Sequence, residues 1–143
     1  MQSLAFGGEQ YERLEIAVLG YERPAAGDFS DDSWLRVKVA IHCGAFQGEF
    51  PATFLTSDFE SFREQLSSLY ETLKGNAEFQ TIEEQLSFSI TGNGMGQMLL
   101  RGSALDQAGI GNRLGFTLNL DQTQLYSSLQ SLGAIISAYP VRT

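Results

Sequence analysis

The stretch TGNGMGQMLL, residues 91–100, decides the fold. It comes after the apolar run Leu86–Ile90 and can be read as a phosphate cradle or as a turn. A phosphate cradle needs a strand before the glycines and a helix after them, because the free N–H groups at the helix start bind the anion. The downstream run QMLLRGSAL, residues 97–105, is short, contains Gly102 and lacks an N-cap residue. No Lys-Ser/Thr pair is present there, and the glycine spacing is G-x-G-x-G. The hairpin reading is tested by register. A two-residue turn at Asn93-Gly94 pairs Ile90 with Gln97 and Phe88 with Leu99, mixing polar and apolar residues on one face. A three-residue loop, Gly94-Met95-Gly96, pairs Asn93 with Gln97, Ile90 with Leu100 and Phe88 with Gly102. Side-chain direction repeats every two residues, so the odd loop restores a consistent apolar face. Such loops need a left-handed residue, and Gly96 supplies it.

The same period-two pattern extends outward. WLRVKVAIHC, residues 34–43, places Leu35, Val37, Val39, Ile41 and Cys43 on one face, with Arg36, Lys38 and His42 on the other. This is a half-buried strand. Gly44-Ala45 turns it into FQGEFPATFL, residues 46–55. Pro51 has no N–H for a ladder bond, so this strand belongs at an edge or at a bulge. Leu14–Tyr21, Ala77–Ile82, Leu86–Ile90, Met98–Leu105 and Leu114–Leu120 read as further strands.

Two segments read as helices. In 57–74 the residues Phe59, Phe62, Leu66, Leu69 and Leu73 share a face. Ser57 with Glu60 predicts a capping box, and Gly75 suits the left-handed residue after the end. In 122–138 the stripe is Leu125, Leu129, Leu132, Ile135 and Ile136, with Asp121 and Gln124 as a second capping box and Pro140 as the stop. Short strands joined by short loops favour antiparallel pairing. The expected fold is α+β: a mainly antiparallel curled sheet of about six to seven strands, with both helices on one face. A small β-sandwich with helices at its ends is the alternative. At 143 residues the chain fits a single domain, 1–143.

Composition excludes several functions. The net charge is −8, from 17 acidic and 9 basic side chains, and the basic residues are scattered singly. Nucleic-acid binding needs clustered Lys and Arg, so no direct nucleic-acid partner is expected. No window approaches the ~20 apolar residues of a membrane span, and the first residues lack the basic start of a signal peptide. Cys43 is the only cysteine, so no intramolecular disulfide is expected and a cytoplasmic location is the default. His42 is the only histidine. Neighbours on a strand point to opposite faces, so His42 and Cys43 cannot form a nucleophile–base pair. One His and one Cys on opposite faces cannot hold zinc. No nucleophile elbow occurs, and the acids at 28–32 lack the spacing of a calcium loop. No catalytic residue, metal site or cofactor is expected, and the chain is not expected to be an enzyme. An enzyme reading would need His42 and two carboxylates converging in a cleft.

The chain resembles the small bacterial WapI-type immunity proteins. The resemblance rests on ordered pieces: WLRVKV, GAFQGEF, LKGNAEFQTIEEQL, GNGMGQ, AGIGNRLGF, LNLDQTQLYSSL and a closing AYPV. They run roughly from residue 14 to 141 and are turns, caps and strand cores, so no catalytic residue is carried over. The resemblance implies a non-catalytic protein that binds and neutralises a contact-delivered toxin domain. The WapI type is paired with a toxin domain that attacks tRNA, so the expected partner is a protein, a basic toxin and possible nuclease. An acidic inhibitor suits such a partner by charge. The candidate contacts are Asp28, Asp31 and Asp32 in one loop, Trp34 beside them, and the adjacent Glu83 and Glu84. The other readings are a small-molecule-binding domain, marked by a deep polar pocket, and an oligomerising structural domain, marked by an open sheet edge.

Overall fold

The computed structural model describes residues 1–8, 12–27 and 29–142. Eight strands form two four-stranded antiparallel sheets. The first sheet is the meander β1 (Gln2–Gly7), β2 (Glu12–Tyr21), β3 (Trp34–Cys43) and β4 (Phe46–Leu55). A short helix, α1 (Phe29–Asp32), lies between β2 and β3. Helix α2 (Thr56–Thr72) leads to the second meander, β5 (Lys74–Phe79), β6 (Leu86–Asn93), β7 (Gln97–Leu105) and β8 (Arg113–Asp121). Helix α3 (Gln122–Ala138) closes the chain.

The α+β class and the two long helices agree with the expectation; the single curled sheet does not. There are two sheets, because α2 separates the meanders and each buries its own apolar face. β1 is a strand that sequence patterning does not reveal. Its six residues, QSLAFG, bury only Leu4 and Phe6, a signal too short to stand out. β5 runs from Lys74 to Phe79 rather than from Ala77 to Ile82.

The two inner faces share one core with α2 and α3. Phe79 of β5 lies at its centre. Its ring stacks on Phe88 of β6 at 5.2 Å and meets Phe54 of β4 at 5.4 Å. Phe59 and Phe62 of α2 approach it at 5.6 and 5.7 Å. Phe6 of β1 touches both Phe62 and Phe88. Edge-to-face and offset ring pairs of this kind add to simple burial.

The helices also cover sheet edges, whose unpaired backbone groups are a hazard. Gln65 of α2 works as a side-chain bridge to edge strand β5. Its Oε1 accepts from Glu78 N–H at 2.9 Å, and its Nε2 donates to Glu78 C=O at 3.4 Å. Ser128 of α3 donates to the Ala5 carbonyl of edge strand β1 at 2.8 Å.

Residues 91–100 form the expected hairpin, with Ile90 opposite Leu100 and Phe88 opposite Gly102. Asn93 Oδ1 accepts from Met95 N–H at 2.7 Å and Gln97 N–H at 3.2 Å. Gly96 has φ +99°, as the odd loop requires. The loop ties both long helices to the second sheet. Gly94 N–H donates to Leu73 C=O at the end of α2, and Gly96 C=O accepts from Gln122 N–H at the start of α3. Gly92 lies so close to Leu73 that a Cβ would collide with its carbonyl oxygen.

The caps were partly legible. Asp121 N–H donates to Gln124 Oε1 at 3.0 Å, and Asp121 Oδ1 accepts from Gln124 N–H at 3.2 Å, completing the predicted box. At α2 the expected Ser57–Glu60 box is not used. The helix begins one residue earlier, and Asp58 reaches back to Leu55 N–H at 2.9 Å. The helix ends at Thr72 on a left-handed Leu73, φ +63°, not before Gly75. Leu73 takes this shape because its N–H bonds to Leu69 and its carbonyl is claimed by the hairpin.

Phe79→Ala should destabilise the fold by about 3–5 kcal/mol, read by urea unfolding. A loss of about 1 kcal/mol or less would mean that the aromatic cluster is not the joint between the sheets. A second prediction concerns Asp121. The Thr123 hydroxyl, helped by backbone N–H groups, holds its carboxyl below the ordinary value of 3.8. A depressed carboxylate contributes stability above its unfolded pKa and loses it as pH falls through the folded value. Asp121→Ala should therefore lower Tm at neutral pH, and its gap to the native chain should close as pH falls below 3.8. A gap that stays constant in acid would show that the charge plays no part.

Candidate functional site

The connection between β2 and β3 carries the loop acids. Asp28 lies outside the described residues. Asp31 is exposed and faces Arg23 at 3.7 Å. Asp32 is only 3% exposed. Its Oδ2 accepts from the N–H groups of Ala26 and Gly27 at 2.9 and 2.8 Å, and its Oδ1 faces Arg23 at 3.3 Å. Asp32 thus organises the loop from within. The chain's end braces the same loop. Arg142 stacks over the Tyr21 ring at 3.4 Å, donates to Arg23 C=O at 3.0 Å, and its N–H meets Ser33 Oγ at 3.0 Å. Tyr21 Oη donates to Pro140 C=O at 2.6 Å.

Trp34 is half-buried at the start of β3, opposite Leu55. It shares the outer face with Arg36, whose cross-strand partner is Thr53. The Thr53 hydroxyl donates to Glu83 Oε1 at 3.5 Å. The Thr53–Glu83 bond sets the turn after β5 against β4, and Trp34, two residues before Arg36 on the same face of β3, lies diagonal to Thr53; Asp31 precedes Trp34 by three residues.

The turn that carries Glu83 and Glu84 is held firmly. Thr81 and Gln85 are both buried. The Thr81 hydroxyl donates to Leu86 C=O, and Gln85 Nε2 donates to Leu105 C=O at 3.2 Å and Pro51 C=O at 3.5 Å. Leu105 N–H returns a bond to Gln85 C=O at 2.8 Å. Between these anchors the chain displays Ile82, 70% exposed, with Glu83 and Glu84. Glu84 sits at φ +58°, a left-handed backbone uncommon outside glycine. Sequence reasoning singled out the two acids but not Ile82, Thr81 or Gln85. A buried Thr and Gln flanking a turn look like ordinary polar loop residues until their carbonyl partners are known.

The charges are unevenly distributed. Glu15, Asp31, Asp32 and Glu49 are ion-paired. Exposed Glu60, Glu64 and Glu71 of α2, Glu78 of β5, and Glu83 and Glu84 have no ion-pair partner among the described residues. Glu12, Glu22, Asp106 and Asp121 are also exposed without an ion pair, but singly; the densest run of such acids lies along α2, β5 and the turn after it.

Nothing comparable gathers around His42 and Cys43. They alternate on β3, and Cys43 packs against the core, where burial and then Glu12 push its thiol pKa up. His42 faces an open groove on the outer sheet surface with Arg13, Glu15, Gln47 and Glu49. Both carboxylates there are held by cations, Glu15 by Arg13 at 2.9 Å and Glu49 by Lys38 at 2.7 Å. Among the described residues, no group of His, Cys, Asp and Glu is placed to hold a metal ion. Among the described residues, no helix is long and apolar enough to cross a membrane.

Compared with the curated proteins, the chain finds no match. Among solved structures it is similar to a chain described as "CdiA-CT/CdiI toxin and immunity complex from Enterobacter cloacae". The identity is 10%, the alignment covers 83% of this chain and 97% of that one, and the TM-score is 0.45. The model of the "Immunity protein WapI-like family" matches residues 5–140, from β1 to just past α3. The chain belongs to the WapI-like immunity protein family.

Proposed function

We propose that this chain neutralises a cognate toxin domain by binding it, without turnover, and that the turn Ile82–Glu84 with the acidic face beside it makes the contact. The carrying observation is that turn: one exposed apolar side chain and two unpaired carboxylates on a loop fixed by buried Thr81 and Gln85. A pre-ordered loop loses little entropy on binding. An apolar anchor rimmed by charge is the ordinary layout of an interface. Trp34 and Asp31 extend the surface past Thr53, while buried Asp32 belongs to the loop beside them. The partner is a protein of basic character, and a nuclease suits it, because a nucleic-acid-binding surface offers Lys and Arg to these acids. Free carboxylates repel phosphate, so the chain meets the toxin and not its nucleic acid. The chain acts in the cytoplasm, where such a toxin would reach its target.

Co-expression with the toxin domain encoded beside this gene should restore growth. Glu83→Lys with Glu84→Lys should weaken binding at least about tenfold, close to 1.4 kcal/mol. The native complex should form more slowly as salt rises. If the toxin kills equally with and without the native chain, neutralisation is wrong. If the double reversal binds at full strength while neutralisation stands, the contact lies elsewhere.

A further inference from the structure

The first half of β4 is an open strand edge. β3 and β4 are joined by the two-residue turn Gly44-Ala45, so Cys43 and Phe46 form a hydrogen-bonded pair and the bonded pairs alternate from there. The phase is fixed at the far end too, where Thr56 N–H donates to Ser33 C=O. Phe46, Gly48 and Phe50 therefore bond to β3, while Gln47, Glu49, Pro51 and Thr53 turn their backbone groups outward. From Pro51 onward this edge is protected. Proline offers no N–H and its carbonyl is met by Gln85, the Leu55 N–H is met by Asp58, and the Thr53 side-chain hydroxyl bonds to Glu83 of the turn that lies against this half of the edge. The outward N–H and C=O groups of Gln47 and Glu49 have no partner within the chain among the described residues.

Apolar surface lies beside this edge. Phe46 is 66% exposed. It borders a cleft of about 340 Å³ where the two sheets part, walled by Phe50, Ala104 and Leu114 with Asp106 and Arg113 at the rim. We infer that this half-edge is a self-association site, where two copies pair β4 with β4 about a two-fold axis at Gly48.

Register selects that arrangement. Centred on Gly48, the outward residue Gln47 faces Glu49 of the second copy, and the reciprocal pair repeats the contact. Each pair exchanges two backbone hydrogen bonds. Amide then meets carboxylate on the outer face. On the inner face Phe46 of each copy lies opposite Phe50 of the other, at the mouth of the cleft. Centring on Glu49 instead would set like charges directly opposite, and centring on Gln47 would separate the Phe46–Phe50 pair. At the axis the two Gly48 residues form a non-bonded pair with Cα atoms about 4.5 Å apart, and no side chain crowds it.

Charge favours a second copy over a basic protein here. A chain of net charge −8 repels itself through most of its surface. Around this edge the signs balance: Lys38 holds Glu49, Arg13 holds Glu15, and Arg113 and Asp106 border the same cleft. Glu12 and Asp106 near it carry no ion pair, but the longest run of unpaired acids lies on α2, β5 and the turn at 82–84. A symmetric pair is also the commonest closed assembly.

Sedimentation of the full chain from about 1 μM to 1 mM should show a monomer–dimer equilibrium. Phe46→Ser and Gln47→Pro should each raise its midpoint at least about tenfold. Gln47→Pro deletes one outward N–H and spares the bond pattern with β3, as native Pro51 does; thermal melts confirm that each variant folds. Glu83→Lys should leave the midpoint unchanged. Amide exchange at Gln47 and Glu49 should slow as concentration rises. A monomer across the whole range overturns the inference. So does a dimer that a folded Phe46→Ser leaves intact. Protection of the two amides by a toxin domain, with the chain alone monomeric, would also overturn it and assign the edge to the toxin.

Discussion

One ring, Phe79, carries the constraint on which the molecule depends. Two antiparallel meanders have no covalent reason to pack together beyond α2, the segment between them. Each could bury its apolar face in another way. What fixes them is that β5 points one aromatic side chain at β6, β4 and two turns of α2 at once. Phe6 then draws in β1 through Phe62 and Phe88. Close-packed interiors transmit such placements with little slack. The relative setting of the sheets also sets the spacing between the β4 edge and the turn at 81–85, so the proposed partner surface is held by the same cluster.

The glycine-rich hairpin has a similar role at lower energy. Its backbone does what a phosphate loop's backbone does, but for internal partners. The N–H of Gly94 goes to a helix-end carbonyl, and the carbonyl of Gly96 takes a helix-start N–H. Helix ends leave such groups unsatisfied by construction. A single tight turn serves one end of α2 and one end of α3 together. The resemblance to an anion cradle is therefore physical rather than accidental, since both exploit free backbone groups near helix termini. Only the occupant differs.

This contrast explains what could be read from the chain. Period-two alternation and loop parity gave the strands and the Ile90–Leu100 pairing, because register is a local property. They did not decide between one curled sheet and a sandwich of two, since a buried face does not announce what buries it. β1 escaped notice because six residues carry few turns of pattern. The cap at Leu55 escaped because Asp58, not Ser57, reaches the free N–H. For the site, residue type identified the acids at 31–32 and 83–84 but not their exposure. Asp32 is consumed by the N–H groups of Ala26 and Gly27, which depends on how Arg23 and residues 26–27 are set beside Asp32 under Arg142. Glu83 and Glu84 are displayed because Gln85 reaches carbonyls 34 and 20 residues away in sequence. Such contacts are nonlocal and leave no periodic trace.

The surface divides along the same lines as the interior. Where acids are ion-paired, on the outer face of the first sheet, backbone groups of β4 lie open and an exposed Phe46 stands next to them. Where unpaired acids are densest, along α2 and β5, the backbone is covered by Gln65. The two regions suit different forces. Strand pairing needs geometry and low charge, because like charges directly opposite one another weaken it. Capture of a basic protein needs uncompensated charge, which acts over a Debye length before any contact forms. A small acidic chain that must bind tightly yet not aggregate gains from keeping these apart. Pro51 and Gln85 mark the border: there the edge of β4 meets the turn at 81–85, and Gln85, which bonds the Pro51 carbonyl, also holds out Ile82, Glu83 and Glu84.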